Sequence, residues 1–351
     1  MKNTKIRVGI THGDINGIGY EVIIKTLLDD RMYELCTPII YGSPKVAAYH
    51  RKALDIETFS LNNIKEASEA HPNRTNIINC IDENIKVELG KSTRSAGESS
   101  FKALEAAVAD LEKGLIDVLV TAPINKKNIQ SKDFDFPGHT EYLESKLDSG
   151  KSLMLLISDK LRVGVVAGHV PISKVPEVVS KENIISKLNI LNSSLRKDFG
   201  IRKPQIAVLS LNPHAGDEGL IGTEEIDIII PALEEVREKG IMALGPYPAD
   251  GFFGSSDYNK FDAILAMYHD QGLAPFKALA FESGVNFTAG LSKIRTSPAH
   301  GTAYSIAGTN VASEKSFRQA LYMAIDVFRN RDNYEEISKN PMKVSDSSKN
   351  S

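Results

Sequence analysis

Three histidines that are far apart in the sequence each follow a short apolar run. His169, His214 and His269 come after stretches that predict buried strands, at residues 163–168, 206–211 and 263–268. In open α/β sheets, ligands bind at the carboxyl ends of strands, so we expect the three imidazoles to converge on one site. A lone histidine in such a place is more often structural, and it is the three matched contexts that favour a metal. Three imidazoles leave open positions on a divalent ion, as catalytic sites require.

Two aspartates belong to the same candidate site. Asp270 directly follows His269 and would orient its ring through the nitrogen that does not bind metal. Asp250, in the sequence Pro-Ala-Asp-Gly, is a candidate metal ligand or catalytic base. A turn-forming role is equally consistent with the neighbours of Asp250.

A second group of polar residues suits an anionic ligand. Lys277, Asn286 and Arg295, together with the pair His139 and Thr140, offer two cations and several neutral donors. Such a set near a metal would bind a small phosphorylated or carboxylated molecule. Lys277 is also a candidate for proton transfer in catalysis. The alternative is that Lys277 is a surface residue and that Arg295 forms an internal salt bridge.

A glycine-rich turn, HGDINGIG at residues 12–19, lies between a predicted strand at 5–11 and a predicted helix at 19–28. Its glycine spacing is not the dinucleotide fingerprint, so a phosphate cradle and a tight turn remain equal alternatives. Among the remaining histidines, His12 and His300 are candidates for lining a cleft, whereas His50 and His71 are expected to be exposed. No cysteine or serine lies in a motif that activates a nucleophile.

The composition excludes several classes of function. The chain has 351 residues, a formal net charge of −3, 42% hydrophobic residues and 25% charged residues. This balance is typical of a globular protein and offers no basic surface for nucleic acid or membrane lipid. Two isolated cysteines do not form a disulfide framework, and the N-terminus lacks the apolar core of a signal peptide. We therefore expect a cytoplasmic protein without a transmembrane segment.

Hydrophobic periodicity predicts the elements that position these residues. After the first strand and helix, strands are expected at residues 37–41, 116–120, 152–157, 162–167, 204–211, 263–268 and 285–290. Helices are expected from residue 43 or 44 to 51, from about 139, and at residues 97–113, 181–199, 223–239 and 316–330. Ser180 and Thr223 are expected to cap two of these helices. Residues 269–272 and 291–302 are expected to form loops and turns, and the overall alternation favours a parallel α/β sheet.

Six segments taken together resemble a known family. In chain order they are ITHGDINGIGYE, VTAPINK, FPGHTEYL, LNPHAGDEGLIGTEE, MYHDQGLAPFK and GLSKIRTSPAHGTAYSIAG. They are similar to the 4-hydroxythreonine-4-phosphate dehydrogenase family of vitamin B6 synthesis over nearly the whole chain. The resemblance implies an isocitrate/isopropylmalate-dehydrogenase-like α/β fold, with two α/β/α domains and an interdomain cleft. It also implies a homodimer whose active site is completed by the neighbouring subunit.

On this basis we expect two domains, of which the first is discontinuous. The first would comprise residues 1–124 and 301–337, with a hinge near residues 121–125. The second, residues 125–300, would carry most of the site residues. Residues 338–351 are polar and are expected to be disordered.

The resemblance also implies roles for individual residues. His169, His214 and His269 would bind one divalent ion, which is Zn, Mg, Co or Mn. His139, Thr140, Lys277, Asn286 and Arg295 would contact the substrate, with both arms of the Arg295 guanidinium on its phosphate. The family oxidises the C3 hydroxyl of 4-phosphohydroxy-L-threonine with NAD or NADP, and the product loses CO2. No residue is assigned to the nicotinamide cofactor.

The chain departs from the family pattern at two places. Ile15 and Tyr20 stand where the usual opening, GDPAGIGPE, has prolines, and Pro298 and Ala299 replace the Val and Asp of TSVDHGTA. These departures leave open a sister activity, the oxidation of 4-phospho-D-threonate or D-erythronate. The residues are also compatible with a metal-dependent hydrolase or lyase and with a non-catalytic sensor. Reduction of NAD would distinguish a dehydrogenase from both.

Overall fold

The computed structural model describes residues 5–147 and 151–339. The strands in these ranges are β1 Ile6–Thr11, β2 Cys36–Gly42, β3 Asn62–Ile64, β4 Asn76–Asn79, β5 Val118–Thr121, β6 Leu153–Ile157, β7 Arg162–Ala167, β8 Gln205–Leu209, β9 Met242–Tyr247, β10 Ala263–Tyr268, β11 Val285–Ala289 and β12 Ile294–Pro298. The helices are α1 Gly19–Leu27, α2 Met32–Leu35, α3 Pro44–Ala53, α4 Arg94–Glu112, α5 His139–Lys146, α6 Val175–Val178, α7 Lys181–Lys197, α8 Ile230–Glu238, α9 Ala249–Gly254, α10 His269–Ala280 and α11 Lys315–Ser338. The predicted tail at 338–351 lies outside the described residues, apart from residues 338 and 339.

These strands form one sheet in the order β3-β4-β2-β1-β5-β12-β11-β6-β7-β10-β8-β9. Neighbouring strands are parallel except at the centre, where β11 is antiparallel to β12 and β6, and β6 is antiparallel to β7. The hairpin predicted from residues 152–157 and 162–167 is confirmed, and the prediction of a parallel sheet holds except at these central strands. Residues 158–161 are too few for a crossover, so β6 and β7 can pair only in the antiparallel sense.

Helices cover the two faces of the sheet differently. Because successive side chains of a strand point to opposite faces, each strand contributes to two apolar layers. On one face a continuous cluster extends along the sheet against α1, α7, α8 and α11. On the other face, α4 and α5 cover the β1–β5 side, while α9 and α10 cover the β7–β10 side. A gap between these two helical groups leaves the central strands uncovered.

Polar side chains of β11 and β12 face this gap. Val285, Phe287 and Ile294 belong to the continuous apolar cluster on the opposite face. Asn286 and Arg295 therefore point into the gap, since the side-chain period of a strand is two. Polar residues at this point do not disrupt the core, because they lie between the two apolar clusters of that face rather than within either of them.

Two local predictions need correction. Arg295 lies in a strand rather than a turn, because β5 and β11 pair with β12 on its two sides despite its polar sequence. Residues 269–272 form the first turn of α10 rather than a loop.

The two predicted helix caps have different outcomes. The Ser180 hydroxyl accepts a hydrogen bond from the Asn183 amide at 3.2 Å, as predicted. Thr223 has no such role, since the next helical segment begins as a π-helical turn at Glu225–Ile229.

The order of strands in the sheet does not separate the two predicted domains. β12, assigned to the second domain, pairs with β5 of the first domain and with β11 of the second. The division near residue 124 therefore stays a prediction. Within the described part of the chain, none of the helices is both long enough and apolar enough to cross a membrane.

Candidate active site

A pocket of about 300 Å³ opens in the gap between the helices α4 and α5 and the helices α9 and α10. This volume is at the lower end of the range for ligand sites and suits a small substrate. We call it the central pocket; its polar lining comprises Lys126, His139, Thr140, Glu141, His169, His269, Lys277, Asn286, Arg295, Ser297 and His300. Three cationic side chains and one carboxylate in this lining favour an anionic ligand.

The five residues predicted to contact a substrate all line the central pocket. His139 and Thr140 come from the first turn of α5, Lys277 from α10, and Asn286 and Arg295 from β11 and β12. Their convergence is a property of the fold, because these elements are widely separated in sequence. Their contact with a substrate stays a prediction.

Two of the three candidate metal ligands face each other in the central pocket. The ring centres of His169 and His269 are 5.5 Å apart. The Nδ1 atom of His269 lies 2.7 Å from a carboxylate oxygen of Asp270, and that of His169 lies 3.8 Å from Glu141. A carboxylate next to Nδ1 favours the proton there and leaves the Nε2 lone pair for a metal. The contact expected between Asp270 and His269 is present, whereas the binding of a metal by the two histidines stays a prediction.

His214 does not join this pair in the single chain. Among the residues that the structure describes, no three His, Cys, Asp or Glu side chains are arranged to hold a metal ion. His214 lies on an exposed turn in which residues 214–218 have φ angles between 46° and 80°. The buried Glu225 carboxylate holds this turn, accepting hydrogen bonds from the amides of Leu211 and Asn212 at 2.7 and 2.8 Å. One chain thus brings two of the three imidazoles together, and the set of three ligands stays a prediction.

Asp250 also lies outside the central pocket. It is exposed in the first turn of α9. An acidic residue there interacts favourably with the helix dipole. Within one chain, Asp250 is not part of the central pocket, and its catalytic role stays a prediction.

Arg295 places a buried positive charge at the floor of the pocket. It is only 3% exposed, and its Nε and Nη2 donate to the Thr121 hydroxyl at 3.1 and 2.8 Å. Among the described residues it forms no salt bridge, in contrast to the internal salt bridge that the sequence left open. Burial lowers its pKa to about 10, so the group remains charged at neutral pH. Because a buried charge is costly unless it is paired, Arg295 favours an anionic ligand.

The hydrogen bonds of Arg295 also determine which nitrogen of His139 carries a proton. Nη2 of Arg295 lies 3.1 Å from His139 Nδ1 and can only donate, so Nδ1 accepts and the proton is on Nε2. Burial, and then the charges of Arg295 and Lys126, hold the pKa of His139 well below its ordinary value. His139 is therefore neutral and presents an N–H group. Nη1 donates to the Thr288 hydroxyl at 3.5 Å, and the predicted two-armed contact of Arg295 with phosphate stays a prediction.

Three buried polar atoms around the pocket have no hydrogen-bond partner among the described residues. They are His139 Nε2, Asn286 Oδ1 and His300 Nε2. His300 Nδ1 lies 3.1 Å from the carbonyl oxygen of Gly301 and must donate to it, so His300 Nε2 is an acceptor. Buried polar atoms in native proteins are nearly always paired, so these positions point to a ligand. That ligand would need one acceptor for His139 and donors for Asn286 and His300.

Comparison with known proteins identifies the family. Residues 34–324 match the model of the pyridoxal phosphate biosynthetic protein PdxA. The chain belongs to the PdxA family. The 4-hydroxythreonine-4-phosphate dehydrogenase of Bacteroides thetaiotaomicron is 61% identical over 345 residues, which is 98% of this chain and 94% of the relative. That of Aquifex aeolicus is 40% identical over 323 residues, covering 92% of this chain and 98% of the relative.

A solved PdxA-family structure has the same fold. The 4-hydroxythreonine-4-phosphate dehydrogenase of Klebsiella pneumoniae gives a TM-score of 0.81 at 32% identity, covering 93% of this chain and 99% of that one. A D-threonate 4-phosphate dehydrogenase of Oceanobacillus iheyensis, provisionally named as such, is 38% identical over 324 residues, or 91% of this chain and 97% of the relative. The family and the α/β fold expected from the sequence are confirmed.

Sequence reasoning missed three polar residues of this PdxA-family pocket. Lys126 and Glu141 lie within the VTAPINK and FPGHTEYL segments, and that position next to recognised motifs was the available signal. Ser297 belongs to the strand that was predicted as a turn. The expectation that His300 lines a cleft is confirmed, whereas His12 is buried and is not part of the pocket lining.

The two departures from the PdxA-family pattern differ in their relation to the site. Tyr20 is buried and stacks between His12 and His50, with ring centres 5.3 and 5.1 Å apart. Pro298 and Ala299 line the central pocket. The second departure is therefore the one that can affect substrate choice.

The glycine-rich turn after β1 serves close packing. A Cβ atom on Gly13 or Gly19 would collide with the carbonyl oxygen of Pro123 or His12, and Gly13 has a φ of +70°. Only glycine allows this approach of backbone to backbone. A tight turn thus accounts for these glycines, and none of them lines the central pocket.

Proposed function

We propose that this chain is a 4-hydroxythreonine-4-phosphate dehydrogenase that uses NAD or NADP and one divalent metal ion. It oxidises the C3 hydroxyl of 4-phosphohydroxy-L-threonine to 2-amino-3-oxo-4-phosphooxybutanoate. This β-keto acid loses CO2 to give 3-amino-2-oxopropyl phosphate, in pyridoxal 5′-phosphate biosynthesis. The observation that carries the proposal, within the PdxA family, is the set of unpaired polar atoms in the central pocket.

Each unpaired atom of the pocket can be paired with a polar group of the proposed substrate. A phosphate accepts from the neutral N–H of His139 and neutralises the buried charge of Arg295. The substrate amine donates to Asn286 and His300, which lack donors in the described chain. Charged hydrogen bonds of this kind are roughly twice as strong as neutral ones, so the phosphate would dominate binding.

The remaining pocket residues would orient the substrate and move protons. Thr140, at the start of α5, adds a hydroxyl beside His139. Lys277 is the candidate to take the proton of the C3 hydroxyl, a step that requires its neutral amine, and it carries positive charge once it holds that proton. When bound, the metal polarises the hydroxyl oxygen and the nicotinamide accepts the hydride.

The metal would be held by the Nε2 atoms of His169 and His269. We propose that His214 of the partner subunit is the third ligand, in a homodimer whose sites lie at the subunit interface. The turn that bears His214 supports this proposal, because Leu220 is 82% exposed there and Ile226 is 48% exposed. Exposed apolar residues in such a cluster are typical of interaction surfaces.

We propose Zn or Co as the metal ion and the cytoplasm as the place of action. Imidazole ligands favour Zn or Co over Mg or Mn, although availability also decides which ion is loaded. Cys36 and Cys80 are both free thiols, which supports a reducing cytoplasm.

A second candidate activity is the oxidation of 4-phospho-D-threonate or D-erythronate. Two observations favour this activity. The relative from Oceanobacillus iheyensis is provisionally named as a D-threonate 4-phosphate dehydrogenase, and Pro298 and Ala299, which depart from the family pattern, line the pocket. These substrates carry a hydroxyl in place of the amine. Both groups can donate to Asn286, so the pocket chemistry is compatible with either.

The test is NAD or NADP reduction by metal-reconstituted protein, with both substrate classes compared side by side. We expect the higher kcat/KM with 4-phosphohydroxy-L-threonine and release of CO2. A higher kcat/KM with 4-phospho-D-threonate would favour the second activity. Phosphate release without reduction of the nicotinamide would overturn both.

A further inference from the structure

Lys126 lines the central pocket and has no role in the sets assigned above. It follows β5 in the segment TAPINK, and its Nζ lies 3.5 Å from His169 Nε2. A Cβ atom placed on Gly138 would lie 3.5 Å from Lys126 Cε, so the side chain runs beside the start of α5. Among the described residues, the Lys126 ammonium forms no salt bridge with a carboxylate.

The contact with His169 concerns the nitrogen that would bind metal. The Nδ1 atom of His169 faces Glu141, which leaves Nε2 with the free lone pair. A lysine ammonium has three donors and no acceptor, so Lys126 can only donate toward that lone pair. An ammonium and a metal ion therefore compete for the same atom, and their positive charges repel each other.

We propose that Lys126 is a further binding residue of the site, which contacts His169 Nε2 in the empty pocket and an anionic group of the substrate in the loaded one. The inference rests on the metal site of the proposed function and adds a role for a residue outside it. A metal ion at Nε2 displaces the ammonium, and an anion in the pocket gives the displaced ammonium a new partner.

The charges around Lys126 support this exchange. Lys126, Lys277 and Arg295 face a single carboxylate, Glu141, in the pocket lining. A divalent ion would raise this excess of positive charge unless an anion entered with it. Metal and anion should therefore bind cooperatively, and by linkage each should raise the affinity of the other by the same factor.

The test compares metal affinity in four proteins: the wild type, Lys126→Gln, Lys127→Gln and His169→Ala. Lys127 is the matched control, because it is an exposed neighbour that does not line the pocket. The dissociation constant for Co2+ is measured at constant pH and ionic strength by titration against a chelator. Each titration is done without added anion, with inorganic phosphate, and with acetate. Melting temperatures show that each variant is folded.

Without added anion, we expect Lys126→Gln to bind Co2+ about 5- to 30-fold more tightly than the wild type. This range follows from removing a unit charge about 4 Å from a divalent ion in a water-exposed site. We expect phosphate or acetate to tighten Co2+ binding to the wild type and Lys127→Gln, and to have a smaller effect on Lys126→Gln. The anion whose effect is reduced identifies the group, phosphate or carboxylate, that Lys126 contacts.

Two outcomes would overturn the inference, and a third would overturn its basis. Equal Co2+ affinities for Lys126→Gln and Lys127→Gln would show that Lys126 does not compete with metal. Undiminished effects of both anions in Lys126→Gln would show that it does not bind the anion. Wild-type Co2+ affinity in His169→Ala would instead refute the proposed metal site, so the two failures are distinguishable.

Discussion

At the scale of residues, neighbouring charged groups and hydrogen-bond partners decide which ring nitrogen carries the proton in three pocket histidines. His169 and His269 each have a carboxylate at Nδ1, so their Nε2 atoms carry lone pairs suited to a metal. His139 has the opposite arrangement, because Arg295 donates to its Nδ1 and the proton moves to Nε2. Three imidazoles of one pocket therefore present different groups: a lone pair on His169 and His269, as the proposed metal site requires, and an N–H on His139, as the proposed anion site requires.

The first prediction concerns the metal ligands. His269→Ala should lose bound metal and nearly all turnover, because it removes one of the two facing nitrogens. Asp270→Asn should keep the ligand and bind metal about 10- to 100-fold more weakly. Metal content and NAD reduction are measured on the same samples, with His71→Ala as an exposed control. Full activity of chelator-stripped protein would contradict the assignment.

The second prediction concerns the buried cation. Arg295→Ala should lower kcat/KM by roughly ten- to several-hundred-fold, since each charged hydrogen bond contributes ~1.5–3 kcal/mol. Arg295→Lys should restore only part of the activity, because an ammonium cannot hold Thr121 and His139 together. Metal content should be unchanged in both variants. Arg202→Ala, an exposed arginine, is the control; unaltered kcat/KM in Arg295→Ala would mean that the phosphate is bound elsewhere.

At the scale of elements, a stack of three rings joins the first strand to two helices. His12 follows β1, Tyr20 belongs to α1 and His50 belongs to α3. His50 was expected at the surface, but it is 1% exposed and its Nε2 donates to the Ile15 carbonyl at 2.8 Å. Burial lowers the pKa of both His12 and His50 to about 4. These rings thus remain neutral where unfolded histidines would be protonated.

The third prediction follows from this stack. Below pH 6.5 the unfolded chain binds protons at His12 and His50 that the native chain does not, so stability falls as the pH falls. The contribution of each histidine to the free energy of unfolding is fully present above pH 6.5. It should decrease by up to ~2 kcal/mol between pH 6.5 and 5. His50→Gln keeps a donor for Ile15 and should flatten this dependence, whereas His71→Gln should not. The free energy of unfolding in urea is measured between pH 7 and 5. If it changes with pH equally in the wild type and in His50→Gln, the prediction is contradicted.

At the scale of the whole molecule, the distribution of helices creates the site. One helical layer is continuous, and the other is divided by a gap over the central strands. The polar residues of β11 and β12 are tolerated there because Arg295 is hydrogen-bonded to Thr121 and His139 and Asn286 lines the pocket. His214 is not part of the lining of the central pocket and lies on a turn near exposed apolar residues, so one chain brings together only two of the three candidate ligands.

The fourth prediction tests whether the exposed apolar surface near His214 is a subunit interface. Leu220→Glu should convert a homodimer to monomers at micromolar concentration, because it places a charge in an apolar contact. Activity and metal affinity should fall together with dimerisation, since His214 would no longer reach the partner's site. Sedimentation velocity and Co2+ titration are the measurements, with Glu238→Gln as an exposed control. A variant that remains dimeric with normal metal affinity would refute the interface.

The amino-acid sequence alone determined the family, the α/β class and most elements. These depend on local information: periodicity marks β10 and α4, a cap marks the start of α7, and long motifs mark the residues of the site. The five candidate substrate residues were identified in this way, and the fold brings all of them to one pocket.

Only the tertiary structure decided the features that depend on partners distant in sequence. β12 exists because β5 and β11 pair with it, although its own residues favour a turn. The proton on His139 is placed by Arg295, and His214 is displaced from the pair of histidines by a left-handed turn that Glu225 holds. Strand pairing, tautomers and loop direction are set by contacts across the fold, and a one-dimensional pattern contains no measure of them.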